Sequence, residues 1–260
     1  MKVRLLGTGT STGIPVIGCT CAVCTSSDPR DRRLRCSCYV ETNGVHVVID
    51  TGPDFRQQAI AYRIPRVDAV LYTHHHFDHV VGLDDLRPFC FDTERPIPCY
   101  ARSNTAGVLK KMFGYIFGEG SYPGIPNLQL RTVSEPFAVH SRYDSAKSIH
   151  VLPVEVDHGN MSMLGYRIEN FAYVTDTNNI PDASLKMLTN LDVLVLDALR
   201  DRPHPTHFTI EEAVDVAQRI GARQTYFVHM THSVLHETAE ARLPKGISLA
   251  YDGLAINIDS

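Results

Sequence analysis

No stretch of this 260-residue chain reaches the roughly 18 consecutive apolar residues that a bilayer-spanning helix needs, which excludes a helical membrane protein. The opening Met1-Lys2-Val3-Arg4-Leu5-Leu6-Gly7 gives way to Gly, Thr and Ser before it can build the apolar segment of a secretory signal, so a cytoplasmic protein with no membrane partner is expected. An excess of positive charge is missing too. Lys and Arg number 25 against 29 Asp and Glu, a formal charge of -4 that argues against a general nucleic-acid binder. The cluster Arg30, Arg32, Arg33 and Arg35 is interleaved with Asp28 and Asp31 and reads as a solvated loop. There is no repeat, low-complexity tract or linker; with 43% hydrophobic residues for a core, one domain over residues 1–260 is the simplest organisation. The loop from Gly7 to Gly13 lacks the Gly-Lys-Ser/Thr ending of a P-loop and reads as a turn-rich connector.

The seven cysteines are an odd number, which suits a disulfide framework poorly in a reducing compartment. Three of them crowd into Cys19-Thr20-Cys21-Ala22-Val23-Cys24, a good start on a tetrahedral zinc site that needs a fourth ligand from elsewhere. Cys36, Cys38, Cys90 and Cys99 read as buried small hydrophobes or incidental thiols.

The most informative segment is Thr73-His74-His75-His76-Phe77-Asp78-His79, with the spacing H-x-H-x-D-H. It follows the strand-like run Val67 to Tyr72, and Val80 to Leu86 is expected to open a helix. In extended chain residues two apart point the same way, so His74 and His76 can hold one ion, leaving Asp78 and His79 for a second. His75 falls out of register and reads as a bystander. Further strands are expected at Lys2 to Leu6, Val45 to Ile49, Ile149 to Val156, Phe171 to Thr175, Leu191 to Leu196 and Gln224 to Val228. Several stop at a polar candidate: Asp50, His158, Asp176, Asp197 and His229. That is the signature of an α/β architecture with its site at strand ends. A helix follows Asp54, and another begins at the capping box of Thr209 and Glu212. The stretch from Asn104 to Asn127, with Tyr115, Phe117 and Tyr122, is either a lid or an ordinary packed excursion.

With His74, His76, Asp78, His79, His158, Asp176 and His229 in that order, the chain resembles the metallo-β-lactamase fold superfamily over nearly its whole length. The resemblance implies a four-layer αββα sandwich of two similar halves, with metals at one edge between the sheets. It places His74, His76 and His158 on a first metal, Asp78, His79 and His229 on a second, and Asp176 between them. The second-site cysteine of true β-lactamases is absent, as in the phosphodiesterases and thioesterases of the superfamily. Mixed nitrogen and oxygen donors suit Zn²⁺ or Mn²⁺.

Closer still, Cys19-x-Cys21-x-x-Cys24, the segment Asp50-Thr51-Gly52-Pro53-Asp54-Phe55-Arg56-Gln57-Gln58 and the pair His229-Met230-Thr231-His232 resemble the phosphoribosyl 1,2-cyclic phosphate phosphodiesterases of bacterial phosphonate breakdown. In that family a structural zinc is held by the cysteine trio and the counterpart of His232. The coenzyme PQQ synthesis protein B family shares the cysteine cluster, but its H-x-H-x-D-H region is degraded, whereas here all four ligands stand. His207, in Pro205-Thr206-His207-Phe208-Thr209, matches a histidine that protonates the leaving group in the phosphodiesterase branch and in tRNase Z. Asp78 joins His207 as a catalytic candidate, and Asp50 is expected to orient a ligand histidine.

The resemblance thus implies a dinuclear-metal phosphodiesterase acting on a small cyclic phosphate, with two catalytic divalent metals and one structural zinc. The alternatives are a tRNase Z-like ribonuclease, disfavoured by net acidity and the lack of a recognisable exosite arm, and a glyoxalase II-like thioesterase or lactonase, which lacks the cysteine cluster. A homodimer is left open.

Overall fold

Alternation along the first strand sends Val3 and Leu5 to one face and Lys2 and Arg4 to the other, and the same period of two recurs along the strands that pair with it. The computed structural model describes residues 1–118 and 124–259. Strands β1 (Lys2–Gly7), β2 (Ser37–Thr42), β3 (Val45–Ile49), β4 (Ala69–Leu71), β5 (Ile97–Ala101) and β6 (Leu128–Thr132) form a first sheet. A second is built from β7 (Phe137–His140), β8 (Ser148–His158), β9 (Met161–Ile168), β10 (Phe171–Val174), β11 (Val193–Asp197), β12 (Gln224–Val228) and β13 (Ile247–Leu249). The last strand, β14 (Ala255–Asn257), returns to the first sheet beside β1.

The two sheets follow one pattern. Pairings are antiparallel through β14-β1-β2-β3 and parallel through β3-β4-β5-β6; in the second sheet they are antiparallel through β7-β8-β9-β10 and parallel through β10-β11-β12-β13. Their inner faces meet in a core that includes Leu5, Val47, Ile49, Leu71, Val151, Tyr166, Phe171 and Val195. On the outside of the first sheet lie α1 (Phe55–Ala61), α2 (Phe77–Val80), α3 (Ser103–Met112) and α4 (Gly114–Phe117), anchored by Phe55, Val80, Leu109 and Ile116. On the outside of the second lie α5 (Asp182–Met187), α6 (Ile210–Ile220) and α7 (His236–Glu240), with Ile210, Ala213, Ala217 and Ala239 packed against Val174, Leu194 and Phe227. This is the expected αββα order.

Helix α6 starts where its sequence says: the Thr209 hydroxyl accepts from the Glu212 amide, the Glu212 carboxylate accepts from the Thr209 amide, and Gly221 ends the helix in the left-handed region at φ 70°. The helix expected from Val80 to Leu86 is different. One α-turn at α2 passes into a 3-10 segment at Val81–Cys90, with Pro88, which has no amide hydrogen to donate, inside it.

The arginine cluster needs correction. Arg30 pairs with Asp28 and Arg35 with Asp54, but Arg33 is 1% exposed. Its guanidinium donates to Thr8 Oγ1 at 2.8 Å and the Ala250 carbonyl at 2.6 Å, and faces His236 Nδ1 at 2.9 Å. Burial lowers its pKa to about 10, against the pull of Asp252 and Asp31. These partners make the burial tolerable, and two of them lie more than 200 residues away in sequence. Cys36, Cys38 and Cys99 are buried as expected, while Cys90 is partly exposed.

Between Asn104 and Asn127, α3 and α4 pack on the sheet and Tyr115 donates to Asp84 Oδ1 at 2.7 Å. Tyr122, part of the lid expectation, lies outside the described residues. Among the described residues no helix is long and apolar enough to cross a membrane.

Candidate metal centre

The parallel strands of both sheets deliver their C-terminal ends to one edge. Beyond β4 the chain stays extended, with His76 at φ -65° and ψ 150°, so His74 and His76 project together with ring centroids 4.5 Å apart. His158, at the end of β8, completes a triad whose ligand atoms all lie within 4.8 Å of one another. The first turn of α2 supplies Asp78 and His79, which meet Asp176 from the end of β10 and His229 from the end of β12 in a second, buried group within the same distance. His75 belongs to neither group.

Asp176 occupies the middle. Its Oδ2 lies 3.0 Å from His229 Nε2, 3.3 Å from His79 Nε2 and 3.9 Å from His74 Nε2, touching both groups at once. The backbone is bent to achieve this. Asp50, Asp176 and His229 all have positive φ, at 62°, 54° and 66°, a region non-glycine residues enter uncommonly, Asp and His more readily than most. The turn holding Asp78 passes so close to Gly52 that a Cβ there would collide with the Asp78 carbonyl, and a Cβ on Gly82 would strike the Gly52 carbonyl in turn.

Asp50 is fully buried and receives Thr73 N at 2.8 Å, Thr73 Oγ1 at 2.7 Å and His79 Nδ1 at 2.8 Å. A carboxylate accepting from Nδ1–H leaves the Nε2 lone pair of His79 aimed at the cluster. The Thr206 carbonyl does the same for His158, 2.9 Å from its Nδ1.

The electrostatics fit a cation. Nε2 of His74 is buried with no hydrogen-bond partner, which ordinarily costs about 1–3 kcal/mol, while Nε2 of His79 and His229 face carboxylate oxygens. Burial, with His79 nearby, holds His74 well below its ordinary pKa, and burial also lowers His76 and His158, so this triad presents neutral imidazoles. In the other group burial alone would lower His229, but the Asp176 carboxylate outweighs it and pushes the ring up to about 10. Asp176 itself, though burial opposes its ionisation, is held well below the carboxylate range by His229 and His79. Neutral nitrogens on one side, and on the other carboxylates that hold protons on His79 and His229 where a cation would take their place, form a donor set that divalent cations fit.

His207 stands over this edge, its ring 4.7 Å from those of both His158 and His229. Its Nδ1 faces Asp197 at 3.2 Å, and the Phe208 amide donates to the same carboxylate at 3.1 Å. Asp197 ends β11 as Asp176 follows β10; sequence reading counted it among the strand-end candidates but did not pair it with His207. Its position after an apolar run was the available signal; its partner was visible only in three dimensions.

A separate group gathers around His232. Sγ of Cys19, Cys21 and Cys24 are 3.3, 3.5 and 3.6 Å from His232 Nδ1. The Cys24 amide, followed by the neighbouring thiols and His232, lowers Cys21 to about 6, towards the thiolate a metal requires, while burial and the neighbouring thiols push Cys24 up to about 11. Three sulfurs and one nitrogen converging this way fit a closed tetrahedral zinc site.

Comparison with known proteins follows the same lines. Residues 46–230 match the Beta-lactamase superfamily domain. The structure superposes on a diphosphatase from the PhnP family with a TM-score of 0.91 and 45% identity, covering 99% of this chain and 98% of that one. Zn²⁺-bound PqqB from Methylobacterium extorquens, at 19% identity, shares the fold with a TM-score of 0.80 over 99% of this chain and 100% of its own. An octanoyltransferase of Porphyromonas gingivalis is 40% identical over the whole of this chain, which spans 52% of that relative's length. The chain belongs to the beta-lactamase superfamily, and within it to the PhnP family.

Proposed function

We propose that this hydrolase of the metallo-β-lactamase fold cleaves phosphodiesters, with a small cyclic phosphate such as phosphoribosyl 1,2-cyclic phosphate as its substrate. The observation that carries the reading is His207, a proton donor set against both metal groups and anchored by Asp197. Divalent cations held there, Zn²⁺ or Mn²⁺ by their donors, would supply Lewis acidity toward a phosphoryl group and a water. His74, His76 and His158 would hold one, Asp78, His79 and His229 the other, and Asp176 both. Asp50 and the Thr206 carbonyl fix the tautomers of His79 and His158. With Nδ1–H committed to Asp197, His207 keeps its exchangeable proton on Nε2, where a departing alkoxide can take it. The cysteine trio and His232 would hold a third, structural zinc.

A phosphoanhydride is the neighbouring reading, favoured by the diphosphatase of 45% identity. The test is a panel on metal-reconstituted protein: ribose 1,2-cyclic phosphate, a linear diester, a nucleoside diphosphate ester, pre-tRNA and a glutathione thioester, ranked by kcat/KM. Highest turnover of the cyclic phosphate supports the proposal, while preference for the anhydride, pre-tRNA or thioester rejects it.

A further inference from the structure

The loop between β11 and α6 carries another histidine that neither the metal groups nor the leaving-group acid uses. The ring of His204 is 5.0 Å from that of His207, and it is partly open to solvent where His207 is buried. Its Nδ1 faces the Thr206 amide at 3.4 Å and the Thr206 hydroxyl at 3.2 Å. A backbone N–H only donates, so Nδ1 is the acceptor and the neutral ring carries its proton on Nε2. Burial, then His207 and Arg200, keep the ring below its ordinary pKa and so in that neutral form.

The loop is held more firmly than a surface connection requires. Asn178 Nδ2 donates to the Pro205 carbonyl at 3.1 Å while its Oδ1 accepts from the Gly159 amide at 2.8 Å, tying the loop to the residue after His158. The guanidinium of Arg200 donates to the carbonyls of Arg202 and Pro203 at 3.2 and 3.3 Å. The bond from His158 to the Thr206 carbonyl links the loop to the metal groups themselves. His204 is thereby a fixed single donor placed next to the acid and on its solvent side.

We propose that His204 selects the leaving group: its Nε2–H donates to a free hydroxyl on the alcohol that departs, near the oxygen that His207 protonates. The enzyme would then favour esters of polyols, sugars included, over esters whose leaving alcohol carries no further free hydroxyl. This rests on the phosphodiesterase reading above.

Glycerol 1,2-cyclic phosphate and propane-1,2-diol cyclic phosphate differ by a single hydroxyl and give the test, with bis(p-nitrophenyl) phosphate as a diester lacking it. Wild-type protein should prefer the glycerol ester in kcat/KM. His204→Ala should shrink that preference by roughly threefold to tenfold, the range for losing one net hydrogen bond at a partly solvated site. His204→Gln, whose amide nitrogen falls near the place of Nε2, should recover part of it. Metal content, measured in all three proteins, should be equal. Equal losses on both cyclic esters, or a preference that survives in His204→Ala, overturn the assignment while leaving the phosphodiesterase reading intact. Wild-type protein that is metal-replete yet cleaves none of the three diesters overturns both.

Discussion

Oδ2 of Asp197 lies 3.2 Å from Nδ1 of His207, with the carboxylate fully buried and the imidazole 8% exposed. His207→Ala should slow a sugar or alkyl phosphodiester by roughly a hundredfold to ten-thousandfold, the usual worth of a positioned acid, and slow a p-nitrophenyl diester far less because that leaving group departs unprotonated. Asp197→Asn should follow the same pattern with a smaller loss. Steady-state kinetics on the two ester types, with metal analysis, check this; equal slowing of both esters would make the pair a positioning device instead.

Asp176→Asn removes the carboxylate that reaches all three buried imidazoles, so metal content and turnover should fall together, turnover by more than ~100-fold. His75→Ala should stay near wild type in both, since His75 lies outside both groups. Comparable damage in the two variants would show that the ligand assignment is wrong.

Cys21→Ser should lower the melting temperature and remove about one equivalent of zinc from a wild-type total of about three metals per chain, with activity following only indirectly. Inductively coupled plasma analysis beside a thermal melt distinguishes this from a loss at the catalytic pair.

The buried group around Arg33 yields a prediction in pH. Burial raises Asp252 from 3.8 to about 6, so its folded form binds more protons than its unfolded form between those values, and its contribution to stability falls as pH rises. Burial and Arg33 lower His236 from 6.5 to about 4, so its contribution is complete above the unfolded value and is lost as pH falls through the window. The two slopes oppose each other across nearly one interval. Asp252→Asn removes one, and its unfolding free energy, relative to wild type, should rise between pH 4 and 6 by up to about 1.4 kcal/mol per unit. Denaturant titrations at matched metal content measure the slope, and a flat difference refutes it.

Much of the first half of the candidate site was legible because its ligand candidates are local. His74, His76, Asp78 and His79 lie within one strand end and one helical turn, where spacing alone dictates direction. His158, Asp176 and His229 were visible as polar stops after apolar runs, and the family resemblance supplied their order. Their convergence depends on parallel pairing between strands far apart in sequence, which no local pattern encodes. Arg33 misled for the same reason. Neighbouring charges suggested solvent, while Ala250 and His236 arrive from the far end of the chain to satisfy it. The 3-10 segment after α2 was missed although Pro88 was a visible signal against a full α-helix; the close approach of Gly82 to Gly52 that accompanies it shows only in three dimensions.

The tetrad of Cys19, Cys21, Cys24 and His232 also bears on the unfolded chain. Cys19 and His232 are 213 residues apart, so a cation shared between them closes nearly the whole polypeptide into a ring. Loop-closure entropy for a ring of that size is on the order of 5 kcal/mol, taken from the disordered ensemble rather than added to native contacts. Such a clasp acts as a covalent cross-link would, but opens to a chelator rather than a reductant.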